Sequence, residues 1–351
     1  MKRILFVVNG LGLGNSTRCH SLIACLREME ISIAVATSGN GLEYFSAVEG
    51  LSDLLSLEPL HYGKSGRKLS MLRTIQKAPA LARALWRNAR LLRRQIKEKR
   101  YSAIVIDSDY SLPLVLPWVH CPILAINNAD YVVKDFLRKP QISALPQFFV
   151  ELLDLFFHKA VPHLVFSPTF VPLADKPGLR HIPPLVRDGI EPLHESRKPE
   201  RIVVMLTGST FASELGFLED LPHDGHLRYT VLGRKGKNSA ELRFMGKIYD
   251  NAEILNEADV LIINGGFSAV SEGIRLRKPM VVIPVEKHAE QLVNARSVDA
   301  LGLGLMANEA TAGAKLQELL LRFSEFKQRH QSLGMPTNGA EIMAQAVSYL
   351  E

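Results

Sequence analysis

The chain is poor in cysteine, lacks any long apolar run and carries almost no acid in its one strongly basic stretch. Each shortage narrows what it can be. Three cysteines (Cys19, Cys25 and Cys121) in 351 residues make no disulfide framework, which sets aside a stapled extracellular scaffold and fits a reducing, cytoplasmic setting. Cys19 and Cys25 read as small buried residues of a first helix. No apolar segment approaches the roughly 20 residues that cross a bilayer. MKRILFVVNGLGLG opens with basic residues and then an apolar run, as a leader would, but the run covers only residues 4–8 and enters a glycine-rich loop. It reads as a first β-strand. His158, His163, His181, His223 and His226 show no metal-ligand spacing, and no metal site is expected. Neither a solenoid-length repeat nor a low-complexity tract is present.

What is present is an ordinary globular composition, 47% hydrophobic and 22% charged, in a chain longer than one core usually grows. Two domains are expected. KRILFVVN (2–9), ISIAVAT (31–37), YSAIVIDSD (101–109) and CPILAINNAD (121–130) read as buried strands, with an amphipathic helix at 16–29. Residues 131–170 turn aromatic and helical, with Phe148, Phe149, Phe156 and Phe157. Residues 172–199 hold Pro172, Pro177, Pro183, Pro184, Pro192 and Pro199, a run that sustains neither helix nor central strand. Alternation then restarts with RIVVMLTG (201–208), LRYTVLG (227–233), ADVLIIN (258–264), PMVVIPV (279–285) and LGLM (303–306), and Thr337 and Asn338 can cap a last helix. Strand–helix alternation in both halves predicts two doubly wound α/β, Rossmann-like domains, 1–185 and 201–335, joined by a linker at 186–200. Ligands of such sheets sit at the carboxyl ends of strands, so 12–18, 107–109, 127–128, 207–210 and 264–291 are the segments expected to bear function.

The most informative of these is NGGFSAVSEGIRLRKPMVVIPVEKHAEQLVNA (264–295). A strand runs into Gly265 and Gly266, and a helix carrying Glu272 opens on Phe267 and Ser268. A second strand then leads to Glu290 and Gln291. Two glycines at a helix start let backbone N–H groups approach an anion closely, and the carboxylates and amides nearby suit hydroxyl recognition. Gly10, Gly12 and Gly14 follow the first strand as G-L-G-L-G, which is not the dinucleotide fingerprint. The second strand ends Ala36, Thr37, Ser38, Gly39 without an acid, which disfavours a nicotinamide cofactor.

The order of residues in 264–295 resembles the donor-nucleotide motif of GT-B glycosyltransferases, and most of all the family 28 type that includes the peptidoglycan N-acetylglucosaminyltransferase. The resemblance implies a GT-B fold, two Rossmann-like domains facing across a cleft, with residues 336–351 packing back on the first domain. It implies that Gly265, Gly266, Phe267 and Ser268 hold the diphosphate of a UDP-sugar, Glu272 the ribose, and Glu290 with Gln291 the sugar. Ile248 falls where the family's backbone meets the base. Gly208, Ser209 and Thr210 fall on a second phosphate loop, although they suit an ordinary N-cap too. GLGLGNSTR resembles the family's GxGHxxR loop, with Gly12 and Gly14 on the phosphate or acceptor side. Asn15 stands where the family has histidine; asparagine takes no proton, so another group must act as base. Asp109 is the first candidate and His20 the second, while Asp107 equally suits a backbone cap and Asn127 with Asn128 a turn. Asp107 and Asp109 form an Asp-x-Asp pair, but the two-sheet pattern points to the metal-independent GT-B type.

The function expected is metal-independent, inverting transfer of a sugar from a nucleotide-diphosphosugar to a hydroxyl acceptor, with no other cofactor. A nucleotide-sugar hydrolase or epimerase, or a non-catalytic partner subunit, stays open as an alternative.

The formal charge of +6 is uneven. Residues 64–100 hold thirteen Lys/Arg and one acid, Glu98, a balance of +12, which leaves −6 on the rest of the chain. Ala82, Leu85, Ala89, Leu92 and Ile96 repeat at helical spacing beside Arg83, Arg87, Arg90, Arg94 and Lys97, predicting an amphipathic helix. Its cationic face is either simply solvated or, through residues 69–100, seated on anionic lipid, which would put a lipid-linked acceptor and the inner face of a membrane in reach. Trp86 is the sole aromatic between Met71 and Arg100, so the stacking platforms of nucleic-acid binders are missing and no nucleic acid is expected.

Overall fold

The computed structural model describes residues 2–60, 64–65, 68–69, 78–192, 196–206, 215–222, 225–246, 248, 250–334 and 337–350. The chain divides into two compact units. Met1–Lys134, Phe149–Leu185 and Thr337–Glu351 form the first, and Asp135–Phe148 with Val186–Pro336 form the second.

The first unit contains β1 (Arg3–Val8), β2 (Ser32–Thr37), β3 (Asp53–Ser56), the two-residue β4 (Lys64–Ser65) and β5 (Lys68–Leu69), β6 (Ala103–Asp107), β7 (Ile123–Ile126), β8 (Leu164–Pro168) and β9 (Leu179–Ile182). Seven of them make one sheet in the order β3-β2-β1-β6-β7-β8-β9, parallel throughout. Both faces of a parallel sheet are covered, so its strands are apolar on both sides. In β1, Ile4, Phe6 and Val8 enter one core, and Leu5 and Val7 enter the core on the opposite face. Helix Leu13–Glu28 and the last helix, Gly339–Ser348, share the first of these cores. The Asn338 side chain caps that last helix by accepting the Ala340 N–H at 3.1 Å. The opposite face carries helix Ala78–Glu98, the 3-10 turn Leu112–Trp118 and the end of helix Leu145–Ala160.

The second unit holds β10 (Arg201–Met205), β11 (Arg228–Leu232), β12 (Leu242–Gly246), β13 (Val260–Ile263), β14 (Met280–Val282) and β15 (Gly304–Met306). Their order is β12-β11-β10-β13-β14-β15, again parallel throughout. In each sheet the winding reverses once, between β1 and β6 and between β10 and β13. This is the switch point of a doubly wound fold, where the carboxyl ends leave room for a ligand.

Six strands were not read from the sequence: β3, β8, β9, β12 and the two-residue β4 and β5. β3 is a short edge strand with a polar pattern, DLLS, and β12 is likewise an edge strand, LRFMG. β8, LVFSP, lies inside the stretch read as helical. Within the proline-rich run, β9 forms between Pro177 and Pro183 at the sheet edge, where missing donors are tolerated.

Candidate functional site

In the first unit the switch point is closed by polar side chains. Val8 of β1 is in register with Asp107 of β6, and Asn9 ties the two loops together. Its N–H donates to the Asp107 carbonyl at 2.9 Å, and its Nδ2 to the Ser108 carbonyl at 2.9 Å. Gly10 is sterically required, since a Cβ there would lie 1.6 Å from the Ser38 carbonyl oxygen. Gly12 is the N-cap of helix Leu13–Glu28, with Gly14 in its first turn.

That helix carries Asn15, Arg18 and Cys19 onto the buried Asp107 carboxylate. Asn15 Nδ2 donates to Oδ1 at 2.9 Å, Arg18 Nε to Oδ2 at 2.6 Å, and Cys19 Sγ to Oδ2 at 3.3 Å, while Arg18 Nη2 also donates to Oδ1. A carboxylate so engaged is a clamp. Asp109, two residues on, is placed differently. Ser108 between them adopts φ of 52°, a left-handed conformation that costs energy outside glycine. Asp109 Oδ1 accepts the Ser111 N–H at 2.8 Å, and among the described residues its second oxygen has no partner. Burial pushes this carboxyl above its ordinary range, against the Ser111 hydrogen bonds. His20 faces the neighbouring helix, with Nδ1 2.8 Å from the Tyr44 hydroxyl.

Asn127 and Asn128 follow β7. Asn127 Oδ1 accepts the Ala129 N–H at 2.8 Å, the turn role, and its Nδ2 donates to Asp154, which also accepts the Tyr110 hydroxyl at 2.6 Å.

In the second unit Gly265 and Gly266 follow β13 at the switch point, beside the end of β10: Met205 is in register with Ile263. Helix Phe267–Arg275 has Gly266 as its extended N-cap and no side-chain cap. A Cβ at Gly266 would meet nothing within 4 Å, whereas one at Gly265 would lie 2.3 Å from the Gln291 carbonyl oxygen. The start of helix Ala289–Ala300 therefore packs directly on Gly265 and brings Glu290 and Gln291 to the glycine pair. Phe267 is buried. Gln291 Oε1 accepts the Val285 N–H at 3.0 Å, which leaves the amide Nε2 as its donor. Ile248 follows β12 at the same carboxyl edge of the sheet. Thr207, Gly208, Ser209 and Thr210 lie outside the described residues.

A family model described as Glycosyl transferase family 1 matches residues 2–323. The chain belongs to that family. An uncharacterised glycosyltransferase of Methanosarcina mazei is 23% identical to it, over 93% of this chain and 90% of that protein. The UDP-N-acetylglucosamine–N-acetylmuramyl-(pentapeptide) pyrophosphoryl-undecaprenol N-acetylglucosamine transferase of Geobacillus kaustophilus is 32% identical over 114 residues, 30% of each chain. Among solved structures, the Streptomyces sp. SF2575 glycosyltransferase SsfS6, complexed with thymidine diphosphate, superposes with a TM-score of 0.63 at 18% identity, covering 99% of both chains. The GT-B fold and glycosyltransferase class implied by the resemblance of 264–295 thus stand.

One polar residue of this glycosyltransferase was not visible in its sequence. Arg187, in the segment read as linker, donates from Nε to Glu272 Oε1 at 2.8 Å and from Nη2 to Asn251 Oδ1. Burial raises the Glu272 carboxyl, and Arg187 opposes that rise. The only available signal was a lone arginine among prolines, and its partners lie 85 and 64 residues away. Among the described residues no cluster of His, Cys, Asp and Glu is arranged to hold a metal ion, and no helix is long and apolar enough to cross a membrane.

Proposed function

We propose that this glycosyltransferase moves a sugar from a nucleotide-diphosphosugar, a UDP-sugar foremost, onto a hydroxyl acceptor with inversion at the anomeric carbon. The observation that carries the reading is the glycine-opened helix start, with Gly266 as an extended N-cap and open space around it, on the switch point of the second sheet. Its N–H groups and the helix dipole stabilise the charge that grows on the leaving diphosphate, where transition-state electrostatics count most. Glu272 takes the ribose hydroxyls; in the free protein Arg187 shields its charge, and that guanidinium is then a cation available to the diphosphate. Glu290 and Gln291 read the sugar. The thymidine diphosphate of SsfS6 and the UDP-sugar in the Geobacillus enzyme's name support the donor class, and resemblance supports a displacement without metal.

On the acceptor side Asp109 takes the hydroxyl proton as the oxygen attacks and the C–O bond to the diphosphate breaks. Its unpartnered oxygen and raised pKa suit a base, whereas Asp107 is held by Arg18 and Asn15. Asp109→Asn should leave UDP binding by calorimetry intact and cut turnover by about 100-fold or more. The acid limb of the rate profile, set above the ordinary carboxylate range, should vanish with it. Unchanged turnover would remove Asp109 from the mechanism.

The acceptor is proposed to be lipid-linked, reached from the inner face of an anionic membrane. One layer of the first unit supports this. Helix Ala78–Glu98 buries Ala84, Asn88, Ala89 and Leu92 and turns Arg83, Arg87, Arg90, Arg94 and Lys97 outward. On the same sheet face Trp86, Leu153 and Phe156 are 57%, 69% and 60% exposed. Basic residues near such a surface contribute about 1 kcal/mol each. Sedimentation with liposomes should rise with anionic lipid and fall with salt. Sedimentation indifferent to both would leave a solvated helix face.

A further inference from the structure

The sheet of the second unit has a cavity at the edge away from the glycine pair. Ile202, Val204, Tyr229 and Val231 enter that unit's core, so alternation along β10 and β11 turns Arg201, Val203, Arg228 and Thr230 to the opposite face. Both faces of a parallel sheet are ordinarily covered by crossover helices. Among the described residues, the connection from β12 back to β13 carries only the six-residue helix Ala252–Glu257. A cavity of about 540 Å³ opens between that helix and the amino ends of β10, β11 and β12, a size within the range of small-molecule sites. Gly265 and Gly266 follow the carboxyl end of β13, at the other edge of the same parallel sheet.

Its lining combines an apolar wall with cations. Val203 and Ala258 are buried, Met245 and Ile254 half-buried, and Arg228 and Arg243 exposed. The two acids of the lining are engaged. Glu257 Oε2 lies 3.3 Å from Arg201 Nη1, and Glu241 Oε1 accepts the Gly225 N–H at 2.8 Å. Arg228 Nη1 donates to the Gly225 and Leu227 carbonyls at 2.8 and 3.2 Å. Among the described residues, neither Arg228 nor Arg243 meets a carboxylate, and the half-buried Thr230 hydroxyl has no partner. The arginines stand on neighbouring strands of one face: Thr230, two residues beyond Arg228, is in register with Arg243. Long side chains on such a diagonal reach one another, and two guanidiniums together suit a carboxylate, sulfonate or phosphate. The rim beside them is fixed, since Asn238 Oδ1 accepts the Phe244 N–H at 2.8 Å and Ser239 Oγ the Leu242 N–H at 3.1 Å.

We propose that this cavity is a second ligand site, which takes a small amphiphilic anion. The apolar body lies against Met245 and Ile254, and the anionic head sits with Arg228 and Arg243, within reach of the Thr230 hydroxyl. The site stands apart from the nucleotide-sugar reading, because it occupies the amino edge of the sheet and shares no residue with the donor assignments. The apolar wall sets it apart from a plain phosphate seat, and the unpaired arginines set it apart from a purely hydrophobic groove.

Methyl NMR of Met245 and Ile254 in the full chain tests this, with three probes: anilinonaphthalene sulfonate, its neutral counterpart phenylnaphthylamine, and inorganic phosphate. The sulfonate should shift both methyls saturably. The neutral compound should bind about tenfold more weakly, and phosphate should leave the methyls in place. Replacing both arginines (Arg228→Gln with Arg243→Gln) should weaken the sulfonate by about tenfold, the sum of two exposed ion pairs. Both substitutions are on exposed side chains, and an unchanged thermal melt confirms the fold. Methyls that do not move, equal affinity for the neutral compound, an equal response to phosphate, or indifference to the double substitution would each overturn the site. Displacement of the sulfonate by UDP would make the cavity part of the donor site and overturn its independence.

Discussion

Gly265 and Gly266 are adjacent glycines kept for different reasons, and substitution should separate them. At Gly265 an alanine methyl would collide with the Gln291 carbonyl at 2.3 Å. Gly265→Ala should therefore cost about 1–3 kcal/mol in chemical denaturation, the usual range for overpacking. Gly266→Ala has room and should fold with near-normal stability, while the added methyl crowds the N–H groups at the helix start. A stable Gly266→Ala chain that binds nucleotide as well as wild type would argue against the anion seat. The pair itself was legible as sequence, because two glycines between a strand and a helix have few other uses. Arg187 and Asp107's clamp were not, because each is defined by partners from other elements.

At the scale of elements, helix Phe323–Ser332 shows how packing sets a titration. His330 is buried, with Nε2 2.9 Å from the Leu303 carbonyl. Burial lowers its pKa from 6.5 to about 4. Between those values the unfolded chain binds the extra proton and the folded chain does not, so stability present above pH 6.5 is lost as pH falls toward 4. The loss is on the order of 3 kcal/mol for this one group. Urea midpoints at pH 7 and pH 5 should converge in His330→Gln relative to wild type; an unchanged difference would assign the acid sensitivity elsewhere. The basic helix illustrates partial legibility. Its periodicity was plain, yet Ala82 is exposed and the stripe is completed by buried Asn88. That asparagine accepts the Glu58 N–H at 2.7 Å and donates to the Glu58 carbonyl at 3.0 Å, a match no hydropathy pattern contains. Strands β3 and β12 were missed because edge strands need only one paired side and tolerate polar residues.

At the scale of the whole molecule the two ends of the chain share one core. Ala340, Met343, Ala344 and Val347 of the last helix are buried with Leu22, Ile23 and Leu26 of the first. Met343→Ala should cost about 2–5 kcal/mol, measured by denaturation, and a cost under about 1 kcal/mol would show that the last helix contributes little to that unit. Strand–helix alternation by itself determined two parallel α/β sheets, and the resemblance carried by the ordered residues of 264–295 gave the glycosyltransferase class. These are local patterns, repeated every few residues and tied to backbone geometry. Only the tertiary structure decided that Asp107 is clamped by Arg18 and Asn15 while Asp109 is buried with one hydrogen bond to the Ser111 N–H, and which arginine meets Glu272. Those outcomes depend on burial and on groups tens of residues apart, brought within hydrogen-bond reach only when each unit folds around its own sheet.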